Sequence, residues 1–204
     1  MSETQIRNLK PTDDLARVGE LLFLVDPYIF PDFFGDVRRA KIFAPQLFNN
    51  LETGLFSFNR TLVAVRDNQI LAVLCFRETE VAPWDAESVT ARFQSTGEPL
   101  PDNFTRANTN YMQKITDAEL PPASAEIDFL VTAPEARGQG LASQLFTYLK
   151  PCGKYRELHL DVLANNQNAL RLYEKQGFVK TSTFPCYPDG SVDVYHMVNK
   201  IGEK

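Results

Sequence analysis

SAEIDFLVTAPEARGQGLASQLFTYLK, residues Ser124–Lys150, reads as a strand, a tight basic glycine turn and a helix. Glu126–Val131 alternates and ends in β-favouring residues. Thr132, Ala133 and Pro134 close the strand. Leu141, Leu145 and Leu149 then recur at helical spacing, and Pro151 and Gly153 predict the stop.

The turn between them has the chemistry of an anion site. The first turn of a helix carries unpaired N–H groups and the positive end of the macrodipole. Gly138 and Gly140 have no Cβ, Ala142 is nearly as small, and Arg137 adds positive charge at the rim, so a pyrophosphate is the natural guest. Neither common nucleotide motif is present. No Lys follows Gly140 as a Walker loop requires, and position 143 is Ser where a dinucleotide fingerprint needs Gly.

Working outward, Glu157–Leu163 is a strand with Leu158, Leu160 and Val162 on one face. Asn165 or Asn166 caps a helix running to Gln176, with Ala169, Leu170, Leu172 and Tyr173 toward the sheet and Gly177 at its end. Phe178–Phe184 and Val192–Val198 are strands joined by the turn-rich Pro185–Gly190. Upstream, Gln5–Leu9 is a strand, and Thr12, Asp13 and Asp14 precede a helix bearing Leu15, Val18, Leu21, Leu22 and Val25. Tyr28–Gly35, with four aromatic residues, two prolines in the neighbourhood and a glycine, predicts an irregular loop: a buried corner for most of its rings, or one wall of an acceptor pocket. Asp36–Leu51 predicts a helix broken or kinked at Pro45. Thr61–Val65 and Ile70–Phe76 predict a hairpin across Arg66–Gln69, with Cys75 as a small core residue. Within the Pro-rich segment 78–123, Ala86–Gln94 and Phe104–Leu120 are candidate helices, and the excursion is a lid or an added packing element. The element order gives a mixed α/β (α+β) sheet with one parallel βαβ unit flanked by antiparallel strands, not a doubly wound parallel sheet. It is expected as one domain, residues 1–204, with an insertion at about 78–123.

Arg137-x-x-Gly140-x-Ala142 after a strand resembles the acyl-CoA pyrophosphate loop of the GNAT family of N-acetyltransferases. Leu160-x-Val162, Asn166, Ala169, Leu172-Tyr173 and Gly177-Phe178 fill every fixed position of that family's second signature, in its order and spacing. The resemblance covers Ser124–Phe184 and implies a GNAT-like fold in which the two parallel strands splay and admit the pantetheine arm of acetyl-CoA. That arm pairs with a strand backbone, here Leu130, Val131 and Thr132. Arg137, Gly138, Gln139, Gly140, Leu141, Ala142 and Ser143 are the implied pyrophosphate cradle, and Asn166 holds the arm from the other side. Tyr173 matches the family's general acid toward the leaving thiol, its plainer role being a core aromatic. The implied reaction is direct acetyl transfer to an amine, with strand N–H groups near Leu130 against the developing oxyanion.

Glu126 and Asp128 alternate on the strand that would line the cleft. A carboxylate in a central strand needs water or a partner. Either is a candidate base, Glu126 first; alternatively Glu126 is a solvated charge at the strand start and Asp128 a structural acceptor.

The net charge of -5 argues against nucleic acid or anionic membrane as the main partner and mildly favours a cationic acceptor. Cys75, Cys152 and Cys186, without a CxxC, suggest free thiols in a reducing cytoplasm. His159 and His196 have no acidic or thiol cluster at ligand spacing, so no metal is expected. Neither a signal peptide nor an apolar run of membrane-spanning length is seen, so a soluble cytoplasmic protein is expected. The acceptor is a small-molecule or peptide amine, and the oligomeric state is open, a homodimer included. Two other function classes compete: a catalytically silent acyl-CoA-binding or sensing module, and a nucleotide-phosphate enzyme using Arg137–Gly140.

Overall fold

The computed structural model describes residues 3–48, 55–78, 84–112, 119–150, 154–185, 190 and 192–201. Strands Gln5–Asn8 (β1), Thr61–Arg66 (β2), Gln69–Glu78 (β3), Ser124–Thr132 (β4), Glu157–Leu163 (β5), Val179–Pro185 (β6) and Asp193–Lys200 (β7) form one sheet in the order β1-β2-β3-β4-β5-β7-β6. Among the described residues β4 and β5 are its one parallel pair, and all other neighbours are antiparallel. The helices are Leu15–Leu22 (α1), Ile29–Phe34 (α2), Val37–Leu47 (α3), Ala86–Gln94 (α4), Phe104–Arg106 (α5), Leu141–Leu149 (α6) and Gln167–Lys175 (α7). This is the mixed sheet the element order predicts. None of the helices described is long and apolar enough to cross a membrane.

Local chemistry accounts for the boundaries. Asp14 caps α1, accepting the Arg17 N–H at 3.0 Å, while Asp13 turns back to Arg7. Asp67 and Asn68 take positive φ of 50° and 61°, the conformation a tight two-residue hairpin needs. Asn166, rather than Asn165, caps α7 through the Ala169 N–H at 3.1 Å. Gly177 ends that helix at φ 92°. α1 and α3 approach so closely that a Cβ on Gly19 would stand 2.2 Å from the Ala40 carbonyl oxygen, which only glycine avoids.

Three sequence expectations are corrected. Tyr28–Gly35 is not an irregular loop, because Ile29–Phe34 is a helical turn. Asp26 accepts the N–H groups of Tyr28 and Ile29 at 2.7 and 2.6 Å, and Pro31 falls in the first turn, where its missing N–H has no helical partner to lose. The buried-corner reading holds for Phe30, Phe33 and Phe34, which are fully enclosed; Phe33 packs on Phe93 and Phe104, and Phe30 packs edge-on against Phe129 of β4. α3 runs through Pro45 to Leu47 without a break there. Phe178 is not the first residue of β6; it is core, packed on Phe146, and the strand starts at Val179.

In the Pro-rich excursion α4 forms as expected, and α5 passes into a wider π turn at Ala107–Met112. Trp84 Nε1 donates to Asn108 Oδ1 at 2.8 Å and ties the two parts together. The expected continuation toward Leu120, the end of the Asp36–Leu51 segment, Cys152, Cys186, the Pro151 and Gly153 stops and most of Pro185–Gly190 lie outside the described residues.

Candidate active site

β4 and β5 pair only over Ser124–Ile127 and Glu157–Leu160. Beyond that rung both remain strands: β4 stays bonded to β3 as far as Thr132, and β5 to β7 as far as Leu163. The two parallel strands therefore part at Ile127/Leu160. Along Leu130, Val131 and Thr132 this leaves a backbone edge that no strand pairs with among the described residues.

A bulge sits at the parting. Cys75 pairs with Phe129 but Phe76 pairs with Ile127, so Asp128 is the extra residue of β4. Cys75 and Arg77, two apart on β3, share a face. Their partners Phe129 and Glu126 therefore share it too, although they are three apart on β4.

At the open end of the gap stands the glycine turn. Gly138 and Gly140 both have φ +76°, and a Cβ added at either would meet nothing within 4 Å. The space before them is open, and their backbone conformation suits glycine. The first helical bond of α6 runs from Gln144 N–H to Gly140 O at 3.0 Å, so the N–H groups of Leu141, Ala142 and Ser143 have no acceptor within the helix. Arg137 folds back so that its Nε donates to Thr132 O at 3.3 Å. Two cations that sequence reasoning missed brace this turn. Arg66, at the end of β2, donates to Gln139 Oε1 at 3.0 Å, and Arg17 of α1 pairs with Glu135 at 2.5 Å. They lie more than seventy residues away in the chain, and nothing local marks them.

Tyr173 lies on α7 with its ring edge-on to Phe146 and Phe178, at 6.0 and 5.9 Å between centroids. Burial pushes its phenol up to about 12, so it keeps its proton at neutral pH. Asn166 stands where the chain leaves β5, with its side-chain oxygen engaged in capping.

Glu126 and Asp128 do come together, on Arg77. The buried guanidinium bonds the Glu126 carboxylate directly and gives Nε to Asp128 Oδ1 at 3.0 Å. The solvated reading of Glu126 is thereby corrected, since it is buried between Arg77 of β3 and His159 of β5. Asp128 is a structural acceptor in geometry, yet its Oδ2 is buried without a hydrogen-bond partner. Burial pushes the Glu126 carboxyl above its ordinary value. It pushes Asp128 well above, and the neighbouring Glu126 charge adds to that rise.

The two histidines, apparently isolated along the chain, meet on this same face. Glu126 is the register partner of His159, and Asp161 that of His196. His196 Nδ1 lies 2.7 Å from Asp161 Oδ1, and its Nε2 lies 3.1 Å from His159 Nδ1. Oxygens of Glu126 and Asp161 and a ring nitrogen of His196 fall within 4.8 Å of one another. Linear spacing hid this cluster because its members come from three strands. Cys75 is fully buried, with its thiol pushed up to about 12, and is chemically quiet.

A sequence model described as the Acetyltransferase (GNAT) family matches residues 29–178 of the 204. This chain belongs to the GNAT acetyltransferase family. The GNAT fold is equally plain in solved structures. An N-acetyltransferase from Staphylococcus aureus Mu50 superposes at a TM-score of 0.65 with 19% identity, over 95% of this chain and 99% of that one. The ribosomal-protein-S18-alanine N-acetyltransferase from Escherichia coli gives 0.56 with 16% identity, over 99% and 96%. The NatC complex, bound to a Gag peptide and CoA, gives 0.56 with 15% identity, over 97% and 98%. No curated protein matches the chain in sequence.

Proposed function

We propose that this GNAT protein transfers an acetyl group from acetyl-CoA to a primary amine of a small molecule or peptide. The observation that carries the reading is the parting of β4 from β5 at Ile127/Leu160, with an open glycine cradle at the end of the gap. An unpaired strand edge and an unbonded helix N-terminus in line suit a ligand with an amide-bearing arm and a pyrophosphate. Acetyl-CoA has both and supplies an activated thioester carbonyl.

Each residue then has a task. The N–H groups of Leu141–Ser143, with Gly138 and Gly140 giving access, hold the pyrophosphate, and Arg137 and Gln139 line its rim. Leu130, Val131 and Thr132 pair with the arm, and Asn166 faces it from the β5 side. A strand N–H near Leu130 stabilises charge developing on the carbonyl oxygen. Glu126 takes a proton from the acceptor ammonium, and burial, which raises its proton affinity above that of an ordinary carboxylate, makes it a stronger base. The Tyr173 phenol, protonated at every working pH, gives a proton to the departing thiolate.

Peptide N-termini are included among the acceptors because the similar NatC structure holds a peptide and the S18 enzyme acts on an alanine. An α-amine, with a pKa of about 8, also demands less of a base than a lysine at about 10.4. The cytoplasm is the proposed location.

The alternative, a silent acyl-CoA-binding protein, draws support from Arg77, which holds both candidate bases. Thiol release from acetyl-CoA with a panel of primary amines separates the two. Release well above the uncatalysed rate is expected; acetyl-CoA binding without release from any amine would leave the silent reading.

A further inference from the structure

We infer that His159 and His196 form a one-proton sink behind Glu126, through which the proton shed by the acceptor amine leaves for solvent at Asp161. This rests on the acetyltransferase reading. Overall, R–NH3+ and acetyl-CoA give R–NH–C(O)CH3, HS–CoA and H+. An N–C bond forms and the C–S bond breaks. Of the two protons the nitrogen loses, one ends on the thiol and the other must leave the site.

The cluster has room for one. Asp161, His196, His159 and Glu157 form a chain of two rings between two carboxylates, with gaps of 2.7, 3.1 and 3.2 Å. Two neutral imidazoles carry two N–H protons for these three gaps. With His196 Nδ1–H donating to Asp161 and His159 Nδ1–H donating to His196, the His159 Nε2 is left bare beside the Glu157 carboxylate. That atom is buried and stands 3.2 Å from the Glu157 carboxylate. A third proton removes the deficit: His196 then donates from both nitrogens, and His159 donates from Nε2 to Glu157.

The position is right for a relay. The Glu126–His159 rung lies one residue before the strands part, and Asp161 is one residue past the parting on the same face. Glu126 lies within 4.8 Å of His196 and Asp161, a span that a single bridging water covers. Glu126 is enclosed whereas the Asp161 side chain is 42% exposed, so the path runs from cleft to water.

The charged groups acting on the two rings are Glu126 from β4 and Glu157 and Asp161 from β5, with Arg77 of β3 and Asp128 of β4 behind Glu126. On β6, Ser182 stands opposite His196, while Lys180 lies over the ring of Tyr195. Their balance splits the rings. The hydrogen bond to Asp161 holds His196 above the ordinary histidine value, while burial pushes His159 below it. The extra proton therefore resides on His196, next to its exit. His196 must be neutral to receive it, so activity rises as pH climbs through the raised value.

Both rings act through Glu126 and are positioning residues, so the test reads pH dependence. Thiol release from acetyl-CoA with primary amines is followed from about pH 5.5 to about pH 9, around the histidine range. His196→Gln should lower kcat/KM about tenfold at neutral pH and erase the acid-side inflection, with the KM for acetyl-CoA unchanged. Asp161→Asn should move that inflection to lower pH. A uniform fall in rate with the wild-type inflection retained in both variants would reduce the rings to a structural role and overturn the relay. Ring NMR should show one proton taken up by the pair through this range, and two independent full titrations would overturn the sink. If the pair takes up one proton but no amine releases thiol, it is the acetyltransferase reading that fails, and the route from an amine fails with it.

Discussion

Arg77 Nε donates to Asp128 Oδ1 at 3.0 Å while another nitrogen of the same guanidinium holds Glu126, so one buried cation serves two carboxylates from a single strand. Directly opposed on β3 and β4, Arg77 and Glu126 are fixed by register, and the Asp128 bulge swings the second carboxylate into reach. Arg77→Met should cost about 3–5 kcal/mol at neutral pH, because it leaves two buried carboxyl groups without the cation that compensates them. Urea denaturation measures it. In the variant the deficit should shrink as pH falls, since carboxyls already pushed upward protonate early; a cost independent of pH would mean the guanidinium matters only for packing.

Asp128→Asn works in the opposite sense. The folded state holds the Asp128 proton more tightly than the unfolded chain does. Its contribution is fully present below the unfolded carboxyl value and is lost as pH rises through the folded one. The variant cannot ionise. Its melting temperature should therefore gain on wild type as pH rises above about 4, the unfolded carboxyl value. Parallel melting curves across that range would show that Asp128 titrates alike folded and unfolded.

Gly140→Asp should abolish measurable acetyl-CoA binding by calorimetry, since it sets a carboxylate in the open space before the cradle. Gly140→Ala is the control. Its Cβ meets nothing within 4 Å, but the left-handed backbone at φ +76° should lower stability by about 1–2 kcal/mol. Full affinity in the Asp variant would remove the turn from the site.

Tyr173→Phe should lower kcat by about 10²-fold and leave acetyl-CoA affinity within a few fold. With the phenol held at about 12, wild type should show no basic limb from Tyr173 across the neutral range. Equal turnover in the two proteins would assign the thiol's proton to another donor.

The glycine turn and the second signature were legible because they are local. A strand, a glycine turn and a helix lie in consecutive residues, and the second signature fills Leu160–Phe178 in one run. Strand and helix positions followed for the same reason, with β5 bounded at Glu157 and Leu163 as read. The misses are non-local or depend on which turn of a helix a residue occupies. Pro31 and Pro45 read as breakers, yet Pro31 falls in the first turn of α2, where no helical bond is lost, and Pro45 comes so near the end of α3 that only one N–H bond is forgone before the helix stops. Arg77 carried no signal at all, since its worth comes from standing across from Glu126. The His159–His196 meeting needed the β5/β7 register, and no pattern along the chain contains it.

The extra residue at Asp128 makes β4 a strand with a slipped phase. Before the slip, Glu126 is keyed to the face that bears Arg77 and His159. After it, Phe129 takes that same face in line with Cys75. The two halves can accordingly be edited apart. Exchanges at Glu126 leave the facing of Leu130–Thr132 as it is, and deleting Asp128 would restore unbroken alternation without re-facing either half, while taking the second carboxylate from Arg77. A single inserted residue thus gives Arg77 a second carboxylate without disturbing the facing of the strand on either side.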